Sequence, residues 1–162
     1  MPIAERISTA ASSFERNDSV LSKCFDGLSE EEWLRQPGES SNHLLWIAGH
    51  VVWARSAVMR ILGTEWTKPW LPLFARGAKL EDAAQYPKAK EVTTALAESA
   101  TALKAAMEAA SAETLAVPGP QGIPSIDGTL GGTVFFLAFH ETGHVGQVMY
   151  LRTWLGKPGV MG

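Results

Sequence analysis

Residues 140–147 read HETGHVGQ. Two histidines four apart, with a glutamate beside the first, match the H-E-x-x-H pattern of zinc proteases. There the imidazoles hold a metal and the carboxylate activates water. Such a site needs a third protein ligand, and zinc proteases of this type take it from downstream of the motif. After His144 the chain reads VGQVMYLRTWLGKPGVMG, without His, Asp, Glu or Cys. A zinc protease is therefore not the expected reading.

The two imidazoles still need an explanation. At about 100° per residue, Thr133, Phe136, Leu137, His140, His144, Gln147, Leu151 and Trp154 fall on one side of a helix. Rings at i and i+4 on that side meet one turn apart. Leaving a buried polar group unpaired costs roughly 1–3 kcal/mol. The rings must then bond to backbone or water, or hold a metal between them.

The other histidines are His43 and His50. On a helix they stand about 10.5 Å apart along the axis, too far to share one ion easily. His50 lies on a stripe with Ile47, Ala54, Ala57 and Ile61, between Trp46 and Trp53, and that stripe must face a core. His43 falls in the first turn, where an exposed or capping role suffices. The candidate metal ligands are thus His50, His140 and His144, brought together from two facing helices. Three neutral imidazoles favour zinc, nickel or another late first-row ion, and they leave coordination positions open for water or substrate.

Other residues are candidates for supporting roles. Glu141 sits about 100° around the helix from His140. It could be a general base at the solvent edge of the site, an outer partner of a ligand, or a surface charge. Gln147, one turn beyond His144, could hydrogen-bond a ligand ring. Gly143 and Gly146 each cost about 1 kcal/mol relative to Ala inside a helix, which suits close approach of a helix or ligand, or simple tight packing. Trp66, Trp70 and Phe74 could wall an apolar pocket or plug the core.

Four long helices would position these groups. The first spans residues 3 to about 24, with Ile7, Ala10, Phe14 and Leu21 on one stripe. Ser29 and Glu32 form a capping box for a short helix ended by Pro37–Gly38. The second long helix is capped by Ser40, Ser41 or Asn42 and closed by Gly63. Residues 64–78, broken by Pro and Gly, form a long connection. A third helix runs from about Lys88 to 111. Residues 116–132 are irregular or a short hairpin. The last helix runs from about Leu130 to Leu155, and residues 157–162 form a loose tail.

The expected fold is all-α: one domain, residues 1–162, built as a four-helix bundle. The net charge is −3 and no Lys/Arg cluster stands out, so nucleic acid is not an expected partner. The longest apolar run, VFFLAF (134–139), is too short for a bilayer, so no membrane partner is expected. MPIAERISTA lacks the apolar segment of a secretory leader, and a cytoplasmic location is the expectation. Cys24, the one cysteine, reads as a small buried hydrophobe.

Two segments, LSEEEWLRQPGESSNHLLWIAGHVVWAR (28–55) and FHETGHVGQVMYLRTWLG (139–156), resemble the DinB-like (DinB/YfiT-like) metalloprotein family. Its pattern has a short Leu-Ser-x-Glu helix and one ligand histidine on the second long helix. It ends with H-x-x-x-H, followed by Gly-Gln and a closing Leu-Gly. His50, His140 and His144 match the family's three metal ligands. The resemblance implies an up-down-down-up bundle with a long crossover between the second and third helices. It also implies frequent homodimers and a small-molecule substrate. Characterised relatives include S-transferases and isomerases that use low-molecular-weight thiols such as bacillithiol or mycothiol. A metal-dependent thiol S-transferase is the leading expectation; a hydrolase and a metal-binding or stress-response protein without catalysis are the alternatives.

Overall fold

The structure, a computed structural model, describes residues 3–161. Residues 1, 2 and 162 of the expected domain lie outside that description. Helix α1 spans Ile3–Phe25, α2 Leu44–Ile61, α3 Ala89–Ala109, α4 Ala112–Ala116 and α5 Leu130–Trp154. The described residues contain no strand longer than a single bridge. The four long helices close a ring: α1 packs on α5, α5 on α2, α2 on α3 and α3 on α1. A long crossover, residues 62–88, joins α2 to α3.

Local chemistry accounts for most boundaries. Ser29 and Glu32 form a reciprocal capping box: the Ser29 amide donates to Glu32 Oε2 at 2.8 Å and the Glu32 amide to Ser29 Oγ at 3.2 Å. The helix it starts is only the 3-10 turn Glu32–Leu34. The cap of α2 is not Ser40, Ser41 or Asn42 but His43, for which a capping role is the other expectation. His43 takes that place, its Nδ1 accepting from the Trp46 amide at 3.0 Å, and it is buried rather than exposed. An imidazole nitrogen offers the same acceptor as a serine hydroxyl while its ring packs edge-on against Tyr86. Gly63, at φ +84°, lets the chain leave α2 in the left-handed region.

Two further corrections concern the C-terminal half. The third helix ends at Ala109, two residues before the expected 111, and the short α4, not foreseen from the sequence, follows it, capped by Ser111 Oγ accepting from the Thr114 amide. Residues 157–161 are not a loose tail. Arg152 Nε donates to the Pro158 carbonyl, and its Nη1 donates to the carbonyls of Cys24 and Asp26, all at 2.8 Å. Val160 packs against the core. Cys24 has no solvent exposure, and burial raises its thiol pKa, as suits an inert hydrophobe.

The register of α5 also differs. Thr133 and Leu151 of the expected stripe are buried, together with Val134, Ala138, Glu141, Val145 and Val148. Gln147 and Trp154, expected inside, are exposed, while His140 and His144 lie half-buried at the margin. The middle of the expected stripe is rotated toward solvent because Glu141 turns inward to pair with Arg55, and Arg152 turns inward to donate to backbone carbonyls.

Candidate metal centre

His50 reaches the centre from the middle of α2, flanked by indoles one turn away on each side. Trp46 stacks on it at 4.9 Å between centroids with planes 9° apart, and Trp53 at 5.2 Å and 23°. The ring cannot turn between these faces. Its Nδ1 lies 2.7 Å from the Phe74 carbonyl, which can only accept. Nδ1 therefore carries the proton, and Nε2 keeps its lone pair.

The crossover supplies that carbonyl. Residues Leu71–Phe74 form a 3-10 turn, with Phe74 fully buried. The Phe74 ring lies where a Cβ on Gly49 would come within 2.4 Å. A glycine beside the ligand thus admits the ring whose own backbone orients the ligand. Trp66 and Trp70 are half-buried and pack against the same core.

His140 and His144 project from α5 one turn apart. Their Nε2 atoms stand 3.3 Å from each other. Gln147 Oε1 is 2.8 Å from His144 Nδ1 and accepts its N–H, so His144 Nε2 also presents a lone pair. His140 Nδ1 is buried without a hydrogen-bond partner among the described residues. One nitrogen from each of His50, His140 and His144 lies within 4.8 Å of the others. Two imidazole nitrogens bound tetrahedrally to one zinc-like ion, each at about 2.0–2.1 Å, stand roughly 3.3–3.4 Å apart. The α5 pair already has that spacing, and the donor set fits a divalent ion.

Electrostatics favour the ligating, neutral form. Burial pushes the His50 imidazole down to about 4, assisted by His144 and His140 and opposed by its bond to Phe74. Burial also lowers His140, and the charges of His144 and Arg76 add to it. The nearest exposed neighbours of Gln147 on α5 are Gly143, Gly146 and Tyr150. They border a groove of about 600 Å³ against Ser40, Ser41 and Asn42.

The profile of the DinB superfamily matches residues 13–148, which span all three histidines. The chain belongs to the DinB superfamily. No curated protein matches it.

Within this DinB-superfamily chain, Glu141 is not at the solvent edge of the site. It is 1% exposed. Its carboxylate accepts from Arg55 Nε at 2.8 Å and Nη2 at 2.7 Å, and from Asn17 Nδ2 at 3.2 Å. Arg55 also pairs with Asp18 at 2.7 Å and donates to the Leu96 carbonyl. Burial opposes the guanidinium charge, but Glu141 and Asp18 overcome it and raise the Arg55 pKa. The cluster joins α1, α2, α3 and α5 directly beneath the histidines. Residue spacing does not single out Arg55; a lone Arg in the apolar middle of α2 is its only signal in the sequence. The glutamate that completes the protease pattern is thus a structural anion, held away from any water at the imidazoles.

No helix among the described residues is long and apolar enough to cross a membrane.

Proposed function

We propose that this chain holds one divalent ion, zinc or nickel, on His50, His140 and His144. The site then serves thiol-dependent S-transfer to a small electrophilic substrate. The observation that carries the metal reading is the convergence of three imidazole nitrogens within 4.8 Å, with the Phe74 carbonyl and Gln147 Oε1 accepting hydrogen bonds from the outward Nδ1–H groups of two of them. Such an ion, when bound, lowers the pKa of a thiol or water enough to make a nucleophile at neutral pH.

The chain's own residues offer no free base to a water at the site. Trp46 and Trp53 cover the faces of His50 and keep water off one side of the site. Glu141 is committed to Arg55, so it is not free to deprotonate water. A metal-bound thiolate needs no protein base, and neither does a metal-bound hydroxide, so the committed glutamate argues only against hydrolysis assisted by a protein base. The family resemblance supplies the thiol. On this reading the protein is cytoplasmic and acts on small molecules, with a second copy of itself as its partner.

The test has two arms. Metal analysis of purified protein should give about one ion per chain, in line with one three-ligand site. His50→Ala, His140→Ala and His144→Ala should each remove most of it; unchanged content in all three would overturn the triad. Metal-loaded and metal-stripped protein should then be compared with several thiols and a generic electrophile. Turnover only in the loaded protein supports S-transfer. Metal binding without turnover points to a non-catalytic metal protein instead.

A further inference from the structure

Helix α5 lacks the charged outer face of its neighbours. A surface helix turns charged and polar side chains to solvent, whereas a helix that is apolar all round is covered all round. The outer faces of α1 and α3 follow the rule, exposing Glu15 and Arg16 on one and Glu98 and Lys104 on the other. The Asp, Glu, Lys and Arg content of α5 is Glu141 and Arg152 alone, and both are buried. Its solvent side instead carries Phe139, Tyr150 and Trp154, which are 70%, 62% and 36% exposed.

The pattern on that side is complementary to itself. At about 100° per residue, Phe139, Gly143, Gly146 and Tyr150 share an arc of about 60°. Between the two rings lies a shallow saddle, because nothing stands within 4 Å of where a Cβ on Gly143 or Gly146 would be. Phe139 and Tyr150 are equidistant from the point between His144 and Val145, and so are Gly143 and Gly146. A second α5 laid antiparallel across that point therefore sets the partner's Tyr150 against Phe139, the partner's Phe139 against Tyr150, and glycine on glycine. Two-fold dimers need a surface that matches itself in this way. The glycines let two backbones come close, and the antiparallel direction brings opposite ends of the helix dipoles together. The same docking carries the partner's Phe139 to the groove of about 600 Å³ bordered by Gly146 and Tyr150.

The exposed area is of the right size. At about 150–250 Å² per aromatic side chain, Phe139, Tyr150 and Trp154 leave roughly 350 Å² in water. Two copies bring up to roughly 700 Å² from these rings alone, more than half of the about 1,200 Å² at which stable interfaces begin.

We infer that this chain forms a two-fold homodimer through α5, the two helices crossing antiparallel at Gly143 and Gly146. The inference rests on the reading that the partner is a second copy, to which it assigns a face, and it does not depend on the metal.

Sedimentation equilibrium over a range of concentrations should show a dimer for the wild type. Phe139→Glu and Tyr150→Glu should each weaken association at least about thirty-fold, the effect of losing an interface anchor. Helix content should not change, because both side chains are exposed. Ala105→Glu, on the exposed side of α3 across the bundle from α5, should leave association unaltered. Disulfide formation reads the register, and Cys24 does not disturb it because it is buried. Phe139→Cys mixed with Tyr150→Cys should cross-link one species to the other. Neither should cross-link to itself, since like positions lie about 16 Å apart along antiparallel helices and a disulfide needs Cα atoms within about 7 Å. A wild type that stays monomeric throughout overturns the second-copy reading and this face with it. A dimer that both glutamate variants leave intact, or that Ala105→Glu weakens equally, overturns the face alone. Self-cross-linking of either cysteine variant overturns the antiparallel register.

Discussion

Glu141 on α5 and Arg55 on α2 form a two-pronged ion pair, 2.8 and 2.7 Å, with 1% and 0% of their side chains exposed. They fix the rotation of the helix carrying two histidines against the helix carrying the third. Removing one partner of a buried pair leaves an uncompensated charge, which typically costs about 3–5 kcal/mol. Glu141→Gln is expected to destabilise toward the low end, because Asp18 still faces Arg55. Urea unfolding checks this. The same variant should bind metal in normal stoichiometry wherever it is folded, since its carboxylate is not a ligand. A Glu141→Gln protein as stable as wild type would contradict the pair's structural role.

Gln147 fixes the tautomer of His144 through a 2.8 Å contact. Outer partners of ligand histidines are worth about 10- to 100-fold in metal affinity. Gln147→Leu should therefore weaken metal binding by about tenfold, the low end of that range for an exposed partner. Its unfolding midpoint without metal should not move. Competition with a chromophoric chelator measures the first effect and denaturant titration the second.

Gly49 leaves room for the Phe74 ring, 2.4 Å from where a Cβ would stand. Both are buried, so neither can yield freely. Gly49→Ala should cost about 1–3 kcal/mol, as overpacking usually does. It should also lower metal affinity, because displacing Phe74 moves the carbonyl that holds His50. Stability and metal affinity measured on the same preparation would show whether the two losses go together.

Gly143 and Gly146 have ordinary helical φ, and a methyl group added at either would meet nothing within 4 Å. That excludes tight packing within the chain as their reason. If the face is open in solution, Gly143→Ala should stabilise the metal-free chain by roughly 0.5–1 kcal/mol. A loss of stability, concentration-dependent in an unfolding titration, would mean a second copy rests against these glycines.

Burial lowers both His43 and His50 from 6.5 to about 4. The unfolded chain then binds more protons than the folded one between these values. Metal-free protein should keep its full stability above about pH 6.5 and lose it as pH falls toward 4. Denaturant midpoints across that range give the slope. His43→Asn, which preserves a side-chain cap, should make it shallower.

Much of the centre could be read from residue spacing. His140 and His144 at i, i+4 and His50 between two tryptophans pointed to one site, because helix geometry is local and fixes which side chains share a face. The capping box at Ser29 and Glu32 and the stop at Gly63 were readable for the same reason: each involves residues within one turn. Errors came where a distant partner reversed a local preference. A glutamate next to a histidine reads as solvent-facing until an arginine 86 positions away neutralises it. His43, readable as a cap or as an exposed residue, is the cap, and it is buried because its ring packs on Tyr86. Residues 157–161 read as loose until Arg152 ties them to the end of α1.

The sequence alone determined that this chain forms long amphipathic helices and carries three imidazoles able to meet between two of them. Tertiary structure decided which way α5 turns and where the glutamate goes. The physical reason is that propensity and periodicity act over a few residues. The stability of a buried charge instead depends on partners that only packing brings within about 3 Å.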